Sequence, residues 1–82
     1  MSVPNLTQHR QHPTLISLGK IIRIARCEKK LSQEQLALLA DVDRSYIGRV
    51  ERGDNNVAIL TLAKISAALD LSLSELLSKA GL

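Results

Sequence analysis

Two helical patterns in the middle of the chain are separated by only three residues, 41–43. The first pattern begins at Ser32, an N-cap residue with Gln35 at the capping-box position. The second covers residues 44–52 and ends at Gly53, a residue type that commonly terminates helices. Because so short a connection cannot turn the chain gradually, we expect two helices packed at a sharp angle.

Three more helices are predicted around this pair. Apolar residues at helical spacing indicate a first helix over residues 15–30 and a fourth over residues 58–69. Ser72 and Glu75 repeat the capping-box pattern at the start of a fifth helix. The predicted inward faces are aliphatic and comprise Leu18, Ile21, Ile22, Ala25, Leu36, Ala37, Leu39, Ala40, Ile47, Val50, Leu62, Ile65, Leu69, Leu73, Leu76 and Leu77. With short connections between them, five such helices predict an all-α bundle.

Composition excludes several classes of protein. The chain has 82 residues, enough for one domain. Tyr46 is its only aromatic residue, which argues against single-strand nucleic-acid modules that stack bases on aromatic rings. Its one cysteine, Cys27, excludes an internal disulfide. No apolar run reaches the ~18 residues of a membrane span, and the polar start lacks a signal peptide's apolar core. We therefore expect a cytoplasmic protein without membrane association.

Residues 1–14 are predicted to form a flexible arm ahead of a domain over residues 15–82. They contain both prolines and both histidines and show no apolar periodicity. His9 and His12 are spaced like a metal-binding pair, but no carboxylate or thiol accompanies them in the arm, so we expect no metal or other cofactor. Without a phosphate loop, nucleophile elbow or paired-carboxylate pocket, the chain is not expected to be an enzyme.

The third helix predicts a surface suited to an anionic partner. On a wheel of about 100° per residue, Ile47 and Val50 lie on one side. The opposite side carries Arg44, Ser45, Gly48, Arg49 and Arg52. Arginine forks pair with guanine O6 and N7, and Gly48 is expected to leave room for close approach. A helix this short fits the ~12 Å major groove of DNA, although a merely solvated arginine face is the alternative.

The segment QEQLALLADVDRSYIGRVERG, residues 33–53, resembles the helix-turn-helix of the phage-repressor and Cro type, also called XRE-like. The resemblance extends over residues 15–77, where TLAKISAALDLSLSELL is similar to the fourth and fifth helices of that family. It implies a lambda-repressor-like DNA-binding domain with its helix-turn-helix at about residues 32–52. The small size is similar to that of Cro-like repressors and of the controller proteins of restriction-modification systems.

The resemblance also implies roles for individual residues. Base edges would be read by Arg44, Ser45 and Arg49. The phosphate backbone would be held by Ser32, Gln33, Tyr46 and Arg52. An ion pair between Arg26 and Glu51 would tie helix one to the end of helix three, either partly buried or as a screened surface pair. Asp41 and Asp70 stand where the family often has glycine in a left-handed conformation, which Asp tolerates better than most residues.

The implied partners are double-stranded DNA and a second copy of the chain. Two copies related by a two-fold axis would reach half-sites ~34–36 Å apart in a palindromic operator. The predicted dimer interface consists of Leu60, Leu71, Leu73, Leu77 and Leu82, with a monomer whose leucines are all core as the alternative. RNA polymerase is a candidate partner through Glu34 or Asp41, and Arg10 leaves open whether the arm touches DNA. A rival hypothesis is an antitoxin-like or scaffold module that uses the same fold to bind a partner protein.

Overall fold

The computed structural model describes residues 11–82, which form five helices and no strands. The helices are α1 (Pro13–Glu28), α2 (Gln33–Ala40), α3 (Arg44–Glu51), α4 (Ile59–Ala68) and α5 (Leu73–Lys79). The predicted all-α bundle is confirmed. α2 packs against α3 and α4, while α1 packs against α3 and α5. In the described part of the chain, no helix is long and apolar enough to cross a membrane.

Local sequence signals account for most helix boundaries. Both predicted capping boxes are present, with the Ser32 hydroxyl accepting from the Gln35 N–H and the Ser72 hydroxyl accepting from the Glu75 N–H. Asp43 occupies the N-cap position of α3, but its side chain makes no capping hydrogen bond.

The turn between α2 and α3 uses the conformation expected for it. Asp41 has φ 57°, and Asp70 after α4 has φ 58°, both in the left-handed region. The Val42 N–H closes the turn by donating to the Ala37 carbonyl oxygen at 3.0 Å. Three residues, 41–43, therefore connect α2 to α3, and the two helices pack against each other.

The core is made where the five inward faces meet. Its buried hydrophobic residues are Leu18, Ile22, Leu36, Ala37, Ala40, Ile47, Val50, Leu62, Ile65, Leu69 and Leu76. Leu39 was expected among them but is exposed. On a helical wheel, Leu39 lies about 105° from the mean direction of the three buried residues of α2. Since those three residues face the core, Leu39 is left at the side of the helix, outside the buried face.

The first helix starts earlier than predicted. Pro13 is the first helical residue, and the His12 imidazole caps the helix by accepting from the Thr14 N–H at 3.1 Å. Residues 13 and 14 are therefore the first two residues of α1, and His12 caps it. The rest of the predicted arm, residues 1–10 with His9 and Arg10, lies outside the described residues.

α1 and α3 touch through their backbones. Gly19 is buried, and a Cβ atom at this position would lie 2.6 Å from the carbonyl oxygen of Glu51 and closer still to that of Val50. Only glycine fits there without moving one of the helices, because backbone atoms cannot rotate away as a side chain can. This contact fixes the end of α3 against the middle of α1.

Candidate nucleic-acid interface

α3 presents a polar face to solvent on the side away from the core. Ile47 and Val50 are fully buried, which fixes the rotation of the helix about its axis. Arg44, Ser45 and Arg49 are exposed as a consequence. Arg52, which follows the helix as its C-cap, is exposed as well. Three arginines and one hydroxyl thus share one accessible surface, which we call the α3 face.

Gly48 does not open the α3 face for close approach. It is buried, and a Cβ atom at this position would lie 3.2 Å from Arg52 Nη1 and 3.9 Å from the Gln33 amide. These two side chains cover it, one from the end of α3 and one from the start of α2. The wheel could not predict this, because it contains no neighbouring helix.

An ion pair joins α1 to the end of α3. Arg26 Nε donates to Glu51 Oε2 at 2.7 Å and Arg26 Nη2 donates to Glu51 Oε1 at 3.1 Å, a two-point contact. The side chains are only 12% and 4% exposed, so the pair is partly buried. The hydrogen bond to Glu51 raises the pKa of the Arg26 guanidinium above its ordinary value, against the opposing effect of burial.

Gln33 joins the same network. Its Nε2 donates to Glu51 Oε1 at 3.1 Å, while Arg26 Nη1 donates to the Leu31 carbonyl oxygen at 2.8 Å. The start of α2 is therefore tied to the end of α3 by side chains and to α1 by a backbone acceptor. Such a network keeps the angle between α2 and α3 fixed while Ser32 stays exposed beside them.

Tyr46 lies at the edge of the α3 face and is half-buried. Burial raises the pKa of its phenol, although Arg49 and a hydrogen bond with Thr61 act in the opposite direction. The hydroxyl is therefore neutral at physiological pH and able to donate a hydrogen bond. The ring centroid lies 5.9 Å from Arg49 Cζ, within the range of a cation–π contact.

The loop after α3 adds contacts that the sequence did not predict. Arg52 Nε donates to Asp54 Oδ2 at 3.2 Å. Gln11 Nε2 donates to Asp54 Oδ1 at 2.6 Å and to the Arg52 carbonyl oxygen at 2.9 Å. The sequence indicated a turn at residues 54–56, but a contact between positions 43 residues apart leaves no local signal.

The predicted dimer residues divide into two groups. Leu60 and Leu82 are exposed, at 78% and 52%. Leu71, Leu73 and Leu77 are half-buried and pack against the core. The second group has a structural role already, and the first group has none within the described residues.

The described residues contain no cluster of three or more potential metal ligands. His12 is engaged as the cap of α1. Cys27 is a free thiol on the exposed side of the same helix.

Comparison with known proteins identifies the family to which this five-helix chain belongs. The family model described as helix-turn-helix matches residues 22–76, about two thirds of the chain. The chain belongs to the helix-turn-helix family. The XRE-like assignment made from residues 33–53 and the lambda-repressor-like fold expected from it are thereby confirmed.

The similarity to restriction-modification controller proteins is confirmed as well. Control protein C.MunI from a Mycoplasma species is 45% identical over 64 residues, covering 77% of this chain and 86% of that protein. The crystal structure of the restriction-modification controller protein C.AhdI from Aeromonas hydrophila superposes with a TM-score of 0.77 at 45% identity, covering 79% of this chain and 98% of that one.

A third relative was solved with nucleic acid. The structure of SinR, described as the master regulator for biofilm formation, in complex with DNA has a TM-score of 0.69 and 41% identity. The match covers 73% of this helix-turn-helix protein and 97% of the SinR chain.

Proposed function

We propose that this helix-turn-helix protein is a transcription regulator that binds a palindromic DNA operator as a homodimer, in the cytoplasm, as the controller protein of a restriction-modification system. The observation that carries the proposal is the α3 face, whose arginines and serine are exposed together on a helix held rigidly from behind. The similarity to two controller proteins and to a relative crystallised with DNA supports it.

In this proposal the α3 face enters the major groove. Arg44, Ser45 and Arg49 read base edges, since arginine forks match guanine O6 and N7 and a hydroxyl pairs with several base atoms. The phosphate contacts that position the helix come from Ser32, Gln33, Tyr46 and Arg52. The neutral Tyr46 hydroxyl and the exposed Ser32 hydroxyl are both able to donate to phosphate oxygens.

The second copy supplies the second half-site. One α3 reads only a few base pairs, and two-fold symmetry matches a palindromic site. Leu60 and Leu82 support an apolar interface because they are exposed, with the half-buried Leu71, Leu73 and Leu77 continuing it. RNA polymerase is proposed as a further partner, and Glu34 on α2 and Asp41 directly after it are exposed, as such a contact would require.

Selection of duplexes from a random pool tests the proposal. We expect a palindromic consensus with half-sites about one helical turn apart. The logarithm of the association constant for the selected duplex should fall linearly with the logarithm of the salt concentration. The slope should be about −0.9 for each phosphate that the protein neutralises. Weak binding without sequence preference would instead favour the protein-interaction module.

A further inference from the structure

Arg49 is held by its neighbours before any DNA is bound. We propose that Asn55 is a positioning residue that orients the guanidinium of Arg49, and thereby sets how strongly the protein discriminates the base pair that Arg49 reads. The proposal rests on the function proposed above and adds to it a residue outside α3 that takes part in specificity.

The contact between Asn55 and Arg49 is a hydrogen bond to the guanidinium. Asn55 is half-buried, and its amide is assigned to the orientation in which both ends have partners. Its oxygen then accepts from Arg49 Nε at 3.2 Å, and its nitrogen donates to the Asp54 carbonyl oxygen at 3.2 Å. Because Nε is the atom engaged, this hydrogen bond does not use the two terminal nitrogens of Arg49, which remain donors for a base.

A second contact restrains the same side chain. The Tyr46 ring lies 5.9 Å from Arg49 Cζ. The Tyr46 ring limits where the plane of the Arg49 guanidinium can lie. The Asn55 amide limits the rotation of that guanidinium about the axis of the arginine side chain. Long arginine side chains lose much rotamer freedom when they bind, so a guanidinium already held in place loses less on meeting a base pair.

The loop that carries Asn55 is itself fixed. The Asp54 N–H donates to the Arg49 carbonyl oxygen at 2.9 Å, which folds the loop back onto the end of α3. Gln11 also contacts the loop: its amide nitrogen donates to the Asp54 carboxylate, and its backbone N–H donates to the Gly53 carbonyl oxygen at 2.7 Å. A fixed loop is what allows one amide to orient the arginine.

Asn55→Ala tests the proposal, with Asn56→Ala as the matched control because Asn56 is the neighbouring exposed amide. The probe is a labelled duplex with the sequence that the wild-type protein selects, compared with duplexes substituted at the base pair where Arg49→Ala relaxes discrimination. We expect Asn55→Ala to reduce discrimination at that position by about three- to ten-fold. Discrimination elsewhere should be unchanged, and Asn56→Ala should match the wild type. Equal discrimination in the wild type and Asn55→Ala would overturn the proposal.

The double variant separates positioning from direct contact. If Asn55 acts through Arg49, adding Asn55→Ala to Arg49→Ala should reduce discrimination no further. A further loss in the double variant would show that Asn55 contacts DNA itself, and the proposal would be wrong.

A measurement without DNA keeps this inference separate from the proposed function. The NMR signal of the Arg49 Nε–H should shift and exchange faster with solvent in Asn55→Ala, and should be unchanged in Asn56→Ala. An Nε–H unaffected by Asn55→Ala would overturn the positioning role even if DNA is bound. Conversely, a wild-type protein without duplex preference would overturn the proposed function, while the Nε–H signal would still report whether Asn55 orients Arg49.

Discussion

Glu51 is a nearly buried carboxylate whose charge is balanced by Arg26 and which also accepts a hydrogen bond from the Gln33 amide. Removing one partner of such a pair leaves the other buried and uncompensated. We predict that Glu51→Ala lowers the free energy of unfolding by about 3 kcal/mol, measured by urea denaturation.

Lys29 offers a control for that variant. Its ion pair with Asp70 is exposed, so Lys29→Ala should cost at most about 1 kcal/mol. Similar losses for both variants would mean that burial does not strengthen the Arg26–Glu51 pair.

Glu75 gives a prediction of pH dependence. The hydrogen bond from the Ser72 backbone N–H lowers the pKa of this carboxyl below its ordinary value of 4.5. Between the lowered pKa and the ordinary one, the unfolded chain binds more protons than the folded chain, so stability rises with pH. The contribution is complete above the ordinary pKa and is lost as pH falls through the lowered one.

An NMR titration of the Glu75 carboxyl checks this direction. We expect a midpoint below 4.5 in the wild-type protein. Glu75→Gln should remove this group's part of the acid dependence of stability. A midpoint at or above 4.5 would contradict the capping-box geometry.

At the scale of helices, the approach of α1 to α3 depends on Gly19. Alanine is normally about 1 kcal/mol better than glycine inside a helix. Here its Cβ would collide with two backbone carbonyl groups of α3, so Gly19→Ala should instead destabilise the fold by about 1–3 kcal/mol. Thermal unfolding measures the change, with Lys20→Ala as an exposed control on the same helix. A more stable Gly19→Ala protein would exclude so close an approach.

At the scale of helices, the sequence could predict the features that depend on local contacts and on apolar spacing. Ser32 and Ser72 cap their helices through contacts only three residues long, and the left-handed Asp41 is part of a turn readable from its position. Periodicity placed most of the core correctly. It misplaced Leu39, because leucine is apolar wherever it lies and only packing decides which leucines are covered.

Contacts between segments that are distant in the sequence could not be predicted from the residue pattern alone. The buried position of Gly48, the close approach at Gly19 and the clamp from Gln11 each depend on a second element that a helical wheel does not contain. The Arg26–Glu51 pair was expected only through family resemblance, since 25 residues separate its members.

At the scale of the whole molecule, the proposed dimer predicts which leucines are covered by a partner. Leu60→Glu places a charge on a 78% exposed position, so the monomer should fold normally while association weakens. Sedimentation at micromolar concentration measures the change, and at least a ten-fold weaker association is expected, about 1.4 kcal/mol.

Leu38→Glu is the matched control for this experiment. Leu38 is 76% exposed on α2 and lies outside the proposed interface. Its substitution should leave association unchanged. An unchanged dimer in Leu60→Glu would remove the start of α4 from the interface.

The attachment of α3 to the rest of the domain has a consequence for the redesign of its DNA specificity. The helix is held by Ile47 and Val50, by the backbone contact at Gly19 and by Glu51 at its end, all on the side away from solvent. Arg44 and Ser45 take no part in that attachment. They can therefore be replaced by other side chains without changing the packing of α3 against the other helices. New target sequences are therefore best sought by varying these outward positions together with Arg49 and Asn55, whose amide decides how the arginine is aimed.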